Sequence, residues 1–406
     1  MTVSTNSTGS RQTFFILGHI IYFSAIVLLN NSLFFIETQV RFALFGACLL
    51  IGSSLILFLG NDQRKTPNVR YIILLALFVV AAFRINVVNS TEFISIFTQY
   101  VQIILTIFTI LCSYLISKKV DIAVAKNVIM ASGVISFLPI FVNRYDIFNY
   151  ELKDSFMMGV LTYDSYQVVS QIIGIMVICV VSFVFDRKRL DVVTIPFVML
   201  IIAGLYTMTL SPARGEFVAL ILAVSTYFLT GGRWFLIAII AIIFINFGGL
   251  IADSVVLERL SLLEYGDYGE RDYLFVLALN QVFANASVLL FGGGLNYFQY
   301  YNLLPFELYP HNFILEGFVS GGFSLFLMLL IVFVIPIATV IFRANEVPHS
   351  RFLLCFMIYL VVIYMKSGTI NSMWGLAIYT CFFVAAVSKQ LGNVPDTGLP
   401  SVRAND

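Results

Sequence analysis

Glu258-Arg259-Leu260-Ser261-Leu262-Leu263-Glu264-Tyr265-Gly266-Asp267-Tyr268-Gly269-Glu270-Arg271-Asp272-Tyr273 lies in the one long polar interruption, residues 252–322, of a chain that otherwise reads as one apolar run after another. The interruption continues through Gly292, Gly293 and Gly294 to Tyr309-Pro310-His311-Asn312-Phe313-Ile314-Leu315-Glu316-Gly317-Phe318-Val319-Ser320-Gly321-Gly322, where His311 and Asn312 stand at the mouth of the next run. Around it the chain has a mean hydropathy of +0.96 and only 11% charged residues. Soluble chains carry roughly a quarter. A soluble globular domain is therefore excluded, and the expected class is an all-α polytopic membrane protein.

Roughly 20 apolar residues cross a bilayer as a helix, which places twelve spans near 14–34, 40–60, 69–88, 93–116, 121–142, 166–185, 191–210, 213–230, 233–251, 312–342, 351–366 and 372–388. The tenth run is too long for one upright helix; it is expected to tilt or to rest its first turn in the interface. The last two spans share the break Lys366-Ser367-Gly368-Thr369-Ile370-Asn371-Ser372. The first run has no small-residue cleavage site and reads as a retained anchor. The five cysteines, Cys48, Cys112, Cys179, Cys355 and Cys381, are dispersed in apolar runs without a C-x-x-C pair, which argues against a thiolate metal site or a disulfide framework.

The net charge of +1 carries no message, but its distribution does. Arg64, Lys65, Arg70, Lys118, Lys119, Lys126, Arg187, Lys188, Arg189, Arg233, Arg343 and Arg351, with Arg11, Lys389 and Arg403 on the termini, fall on one side of the span pattern. By the positive-inside rule that side is cytoplasmic and holds both termini. The opposite side collects acid, including Asp146, Glu151, Asp154 and Asp164 in the 143–165 loop and Asp253, Glu258, Glu264, Asp267, Glu270 and Asp272 in the long interruption. The expectation is a single membrane domain, 1–406, with an extracytoplasmic loop at 252–311. Val256, Leu260 and Leu263 recur at the spacing of an amphipathic helix within that loop, and Tyr273, Val276 or Leu277, and Asn280 suggest a second, less regular one.

Candidate chemistry sits at outer span ends. Ser211-Pro212-Ala213-Arg214-Gly215-Glu216 predicts a serine N-cap and an N1 proline, with Arg214 in the first turn of span eight. A cation there opposes the helix dipole, unless an anion binds between the guanidinium and the free N–H groups. The alternative is an arginine snorkelling to the headgroups. Arg271 opens the second loop helix in the same way, or is a solvated charge answering Glu270 or Asp272. Arg41 and Arg84 lie at further outer span ends. Among three histidines only His311 falls in an outer polar stretch; it could deprotonate a hydroxyl or bind a phosphate oxygen, or be an interfacial residue at a helix start. The glycines 292–294 predict a tight turn and close backbone approach. No Ser-His-Asp order, H-E-x-x-H or Walker loop occurs.

The order of these motifs resembles the O-antigen polymerase and O-antigen ligase superfamily, bacterial membrane proteins that join lipid-linked polysaccharide units. The resemblance covers residues 155–340: an S-x-x-R-G element at Ser211, Arg214 and Gly215, an arginine opening a loop helix at Arg271, Gly292-Gly293-Gly294-Leu295-Asn296-Tyr297-Phe298, and the His-Asn element at His311 and Asn312 with its glycine-bearing helix. Gly159-Val160-Leu161-Thr162-Tyr163-Asp164 is similar to a further element but lacks the family's following Pro-Asn. The resemblance implies a GT-C-type glycosyltransferase fold in the bacterial inner membrane and a metal-independent transfer, without cofactor, from an undecaprenyl-pyrophosphate donor. It implies pyrophosphate binding by Arg214 and Arg271, secondary contact by Arg84, Arg41 and Asn312, and His311 beside the reacting sugar. A chain-length regulator protein is an expected partner. The product would be O-antigen, capsule or exopolysaccharide, and the close alternative is a ligase acting on lipid A core. From another class, a transporter or glycolipid flippase stays open: Gly60-Asn61-Asp62-Gln63-Arg64-Lys65 faintly matches a facilitator motif, without its later Gly-Arg-Arg or a second copy.

Overall fold

The computed structural model describes residues 7–29, 38–60, 73, 76, 93–117, 119–148, 156–158, 161–163, 166–187, 191–211, 213–232, 271–295, 297–300, 312–342 and 349–367. Its longer helices are α1 (Ser7–Ser24, followed by a π turn at Ala25–Leu29), α2 (Thr38–Leu59), α3 (Phe93–Ile116), α4 (Ile122–Val142), the single turn α5 (Arg144–Ile147), α6 (Tyr166–Phe185), α7 (Ile195–Leu210) and α8 (Arg214–Thr230). After the long interruption come α9 (Arg271–Ala284), α10 (Ala286–Phe291), α11 (Tyr297–Tyr300), α12 (Phe313–Phe342) and α13 (Ser350–Ser367). Among the described residues four helical stretches are long and apolar enough to cross a membrane: Ile122–Val142, Gln167–Phe185, Val192–Leu210 and Phe313–Ile331. The helical membrane class follows. Spans three, nine and twelve of the sequence reading, and the helix expected around Val256, lie outside the described residues.

The all-α class holds, and the described residues add one short ribbon to it. Within the 143–165 loop, β1 (Phe156–Met158) and β2 (Leu161–Tyr163) form an antiparallel hairpin in the register Phe156↔Tyr163, Met157↔Thr162 and Met158↔Leu161. Residues with β-branched and aromatic side chains beside Gly159 suit such a ribbon.

Helices pack as successive neighbours, α3 on α2, α2 on α1, α1 on α4 and α4 on α6; α6 then meets α7, α8 and α13. α6 is enclosed on nearly all sides by apolar contacts, whereas α7 is mostly exposed. α8 lies against α13, and α13 against α12. A second, smaller core joins α9, α10 and α11 to α12 through Leu274, Ala278, Val282, Val288, Phe298, Phe318 and Val319.

Polar links define two ends of the bundle. At the first, Arg11 Nε donates to Leu59 O (3.2 Å) and Lys119 Nζ to Leu57 O (2.6 Å), two cations answering the carbonyls that α2 leaves open at its C-terminus. Asp121 caps α4 by accepting from Ala123 N and Val124 N, and its own N–H goes to His19 Nε2. Lys126 Nζ bridges Ser182 Oγ (3.1 Å) and Asp186 Oδ2 (3.3 Å), and Tyr227 OH donates to Asp186 Oδ1 (2.6 Å), so α4, α6 and α8 are tied together there. Burial of Asp186 would raise its pKa, but the hydrogen bonds from Tyr227 and Ser182 and the Lys126 charge outweigh that and hold the carboxyl below its ordinary value. The opposite end carries the end of α4, the starts of α6 and α8, and the end of α13.

α12 is not one continuous helix. It is broken at Gly322, whose φ of 69° and ψ of −166° belong to a region that glycine alone occupies freely. Gly292 and Gly294 also have positive φ, 73° and 87°. Their turn lays the loop backbone directly on the break: Gly293 N donates to Val319 O (2.7 Å), Gly294 N to Ser320 O (2.9 Å), and Ser324 Oγ to Gly321 O (3.2 Å). Three carbonyls that the interrupted helix would leave bare are thus satisfied. The close backbone approach expected of the glycine run is present, with α12 as its partner.

Candidate functional site

α8 begins at Arg214, as the sequence reading expects, but the cap differs. Ser211 is the C-terminal cap of α7, and Ala213 precedes α8 without any side-chain capping bond. Ser211 Oγ instead accepts from Ala213 N (3.1 Å) and pairs with Ser170 Oγ (2.6 Å), fixing the α7–α8 turn to the start of α6. The serine is buried, and a buried hydroxyl takes the partners nearest to it. Ser211 is thus spent on the α7–α8 turn and not on capping α8, and the N–H groups of a helix start are the kind of group that binds anions.

The next residue along, Gly215, gives room to a side chain from far away in sequence. A Cβ there would overlap the stem of Lys366, whose Cε lies 2.6 Å from that point. Lys366 Nζ passes over the glycine and donates to Glu216 Oε2 at 2.7 Å. Glu216 has 0% exposure, and the Lys366 side chain 17%. A carboxylate in the first turn and an ammonium in the last turn of α13 each suit the local helix dipole. The pair matters for charge: the ammonium of Lys366 answers the buried carboxylate that Glu216 brings to this helix start. Tyr359, one to two turns below on α13, donates to the Ser170 and Gln171 carbonyls (3.3 Å each) and rests on Gly174, so α13 is pinned to α6 as well as α8.

α12 starts beside the same corner. The Asn312 side chain caps it, with Oδ1 accepting from Ile314 N (3.1 Å) and Leu315 N (3.0 Å). The Phe313 ring stands edge-on to Tyr364 in the last turn of α13, with centroids 6.0 Å apart. The last turn of α13 thus touches both the α8 start, through Lys366, and the α12 start, through Tyr364. Arg214 and Asn312 begin helices at one corner of the bundle. The Asn312 carbonyl oxygen is engaged in capping, which leaves its amide NH2 as the group for a ligand.

Other expected residues are placed less fully. Arg271 is the first described residue of α9, and α9 packs on α12 through Phe283 and Phe318, whose centroids are 6.4 Å apart. Phe283 is twelve residues beyond Arg271, about 18 Å of helix, and no described contact ties Arg271 to the Arg214 corner. Arg41 lies within α2. The side chains of Arg41, Arg214 and Arg271, and the whole of His311 and Arg84, are outside the described residues. Among the described residues no group of His, Cys, Asp and Glu could hold a metal ion.

The sequence reading missed Lys366, Glu216, Tyr359 and Ser170. Lys366 stood in a break between short spans, yet a lysine at the end of an apolar run signals a buried partner. A scan against protein-family models finds no match to this chain, and neither does a search of the curated proteins.

Proposed function

We propose that the chain polymerises undecaprenyl-pyrophosphate-linked oligosaccharide repeats into O-antigen, capsule or exopolysaccharide on the outer face of the inner membrane. The order of the S-x-x-R-G, loop-arginine, triple-glycine and His-Asn elements motivates this reading. The observation that carries it is the corner where the Arg214 and Asn312 helix starts meet the last turn of α13. A helix start that opens with an arginine, its first-turn carboxylate already answered by Lys366, suits a pyrophosphate leaving group. The corner is at one end of the bundle, where the head of a lipid-linked substrate would lie, whereas a transporter keeps its ionisable residues near midplane.

In the reaction a hydroxyl of the acceptor glycan attacks the anomeric carbon of the donor glycan. The bond to the pyrophosphate oxygen breaks, the hydroxyl proton passes to a base, and undecaprenyl pyrophosphate departs with its electron pair. Arg214 and Arg271 hold the departing charge, since guanidinium stays protonated and grips phosphate bidentately. Arg84, Arg41 and the Asn312 amide contribute secondary contacts, and His311 takes or orients the acceptor proton. The test is elongation of a lipid-linked oligosaccharide by purified protein without any ion gradient, read as a ladder of products. Arg214→Ala and Arg271→Ala each lower the rate a hundredfold or more. Wild-type ladders from both variants at equal expression overturn the assignment. Polymerase and ligase differ only in acceptor, and deletion separates them: single repeats at the cell surface for a lost polymerase, stranded polymer on the carrier lipid for a lost ligase.

A further inference from the structure

At the same end of the bundle, but on α4 and α7, two exposed apolar stripes converge on one cation. On α4 the outward positions are Ile135, Leu138 and Val142, and on α7 they are Ile195, Met199 and Ile202. Each set advances by three or four residues and so forms a continuous track on a helix face. The next outward position on each track is a tyrosine, Tyr145 just past α4 (59% exposed) and Tyr206 on α7 (44% exposed). Their hydroxyls lie 2.8 Å apart and share a hydrogen bond. α4 and α7 run in the same direction, so the two tracks are parallel and end at the same level.

Arg144 sits under this tyrosine pair. Its guanidinium carbon is 4.6 Å from the Phe141 ring centroid, 4.5 Å from that of Tyr145 and 5.8 Å from that of Tyr206. Nη1 donates to Phe141 O at 2.6 Å, while the buried Nε has no hydrogen-bond partner. Among the described side chains Arg144 forms no ion pair, whereas Lys126 and Lys366 each meet a carboxylate. A snorkelling arginine extends its guanidinium into water. Here the group is folded back among rings with one donor left unanswered, a costly arrangement for a charged group.

We propose that Arg144, Tyr145 and Tyr206 form the headgroup site of an anionic diacyl phospholipid, whose two acyl chains lie along the α4 and α7 tracks. A phosphate on the Nε edge of the guanidinium supplies the missing acceptor in a charge-assisted, bidentate geometry. Tyr145, the most exposed member, swings aside to admit it, and both hydroxyls can donate to phosphate oxygens. Two tracks meeting at one cation fit a lipid with two chains on one phosphate; a polyprenyl phosphate would occupy a single track. The proposal stands apart from the reading of the Arg214 corner.

The test is native mass spectrometry of the full-length protein with equimolar dioleoyl phosphatidylglycerol and dioleoyl phosphatidylcholine. Wild type should retain the anionic lipid with about fivefold preference, the value of one basic residue at an anionic surface. Arg144→Gln should bring the preference close to one, Tyr145→Phe/Tyr206→Phe should lower it in part, and Val142→Trp/Ile202→Trp should lower retention of both lipids. An unchanged preference in Arg144→Gln overturns the site. Displacement of phosphatidylglycerol by undecaprenyl phosphate at equal concentration overturns the two-chain occupant. Should Arg144→Gln fail to fold, an unaltered preference in the tyrosine double variant overturns the proposal equally.

Discussion

Replacing Lys366 by methionine keeps most of the side chain's apolar stem and removes only its charge. Glu216, with 0% exposure, then loses its ammonium partner at 2.7 Å. At the effective dielectric of about 20 that suits such sites, the attraction at this separation is on the order of 6 kcal/mol before desolvation is subtracted. Breaking a buried pair from one side costs about 3–5 kcal/mol in practice. The loss should appear as a fall of several degrees in the thermal midpoint of the detergent-solubilised protein, followed by size-exclusion after heating. Glu216→Gln should cost less, because Lys366 retains 17% exposure and can turn its ammonium toward solvent. The double variant Glu216→Gln/Lys366→Met should recover most of the stability, since no uncompensated charge stays buried. A Lys366→Met protein that melts with wild type, or a double variant no better than Lys366→Met, refutes the reasoning. If the proposed elongation activity holds, it gives a second reading: Lys366→Met removes a positive charge from beside the α8 start and should slow product formation even below the melting range.

Gly322→Ala places a Cβ 2.6 Å from both Gly292 N and Leu290 O and forces a side chain into a glycine-only conformation. The conformational part alone costs about 1–3 kcal/mol, so expression in folded form should fall sharply, as monodisperse yield would show. Gly215→Ala should reproduce a milder form of Lys366→Met by pushing the lysine stem off Glu216, measured by the same melting curve. Asp186 has a lowered pKa in the folded state, so its contribution is present above the unfolded carboxylate pKa and is lost as pH falls through the folded value. Asp186→Asn should therefore flatten the acid limb of a stability-versus-pH curve while lowering stability at neutral pH. Tyr359→Phe removes the hydroxyl bonds to the Ser170 and Gln171 carbonyls and should cost about 1 kcal/mol, again read by melting.

Helical class and the positions of the described helices were legible in the sequence because lipid imposes length and hydropathy on each span separately. What could not be read locally concerns partners. Ser211 looks like an N-cap by its neighbours, but its hydroxyl is drawn to Ser170, forty-one residues earlier. Lys366 and Glu216 are 150 residues apart, and no periodicity links them. The break in α12 was hidden because Gly321 and Gly322 sit within an apolar run whose average hydropathy is undisturbed; only the loop glycines that complete it show why the helix stops there. The 156–163 hairpin is too short for an alternation signal.

The hydrogen bonds from Gly293 and Gly294 to the α12 break also bear on how the protein is made. The glycine turn is synthesised before α12, so the donors that answer Val319 and Ser320 already exist when that helix enters the bilayer. The docking of α12 then draws on a turn made before it, and the two are joined by backbone bonds. A chain cut between the two and supplied as halves would have to recover a backbone fit that synthesis in one piece provides by order alone.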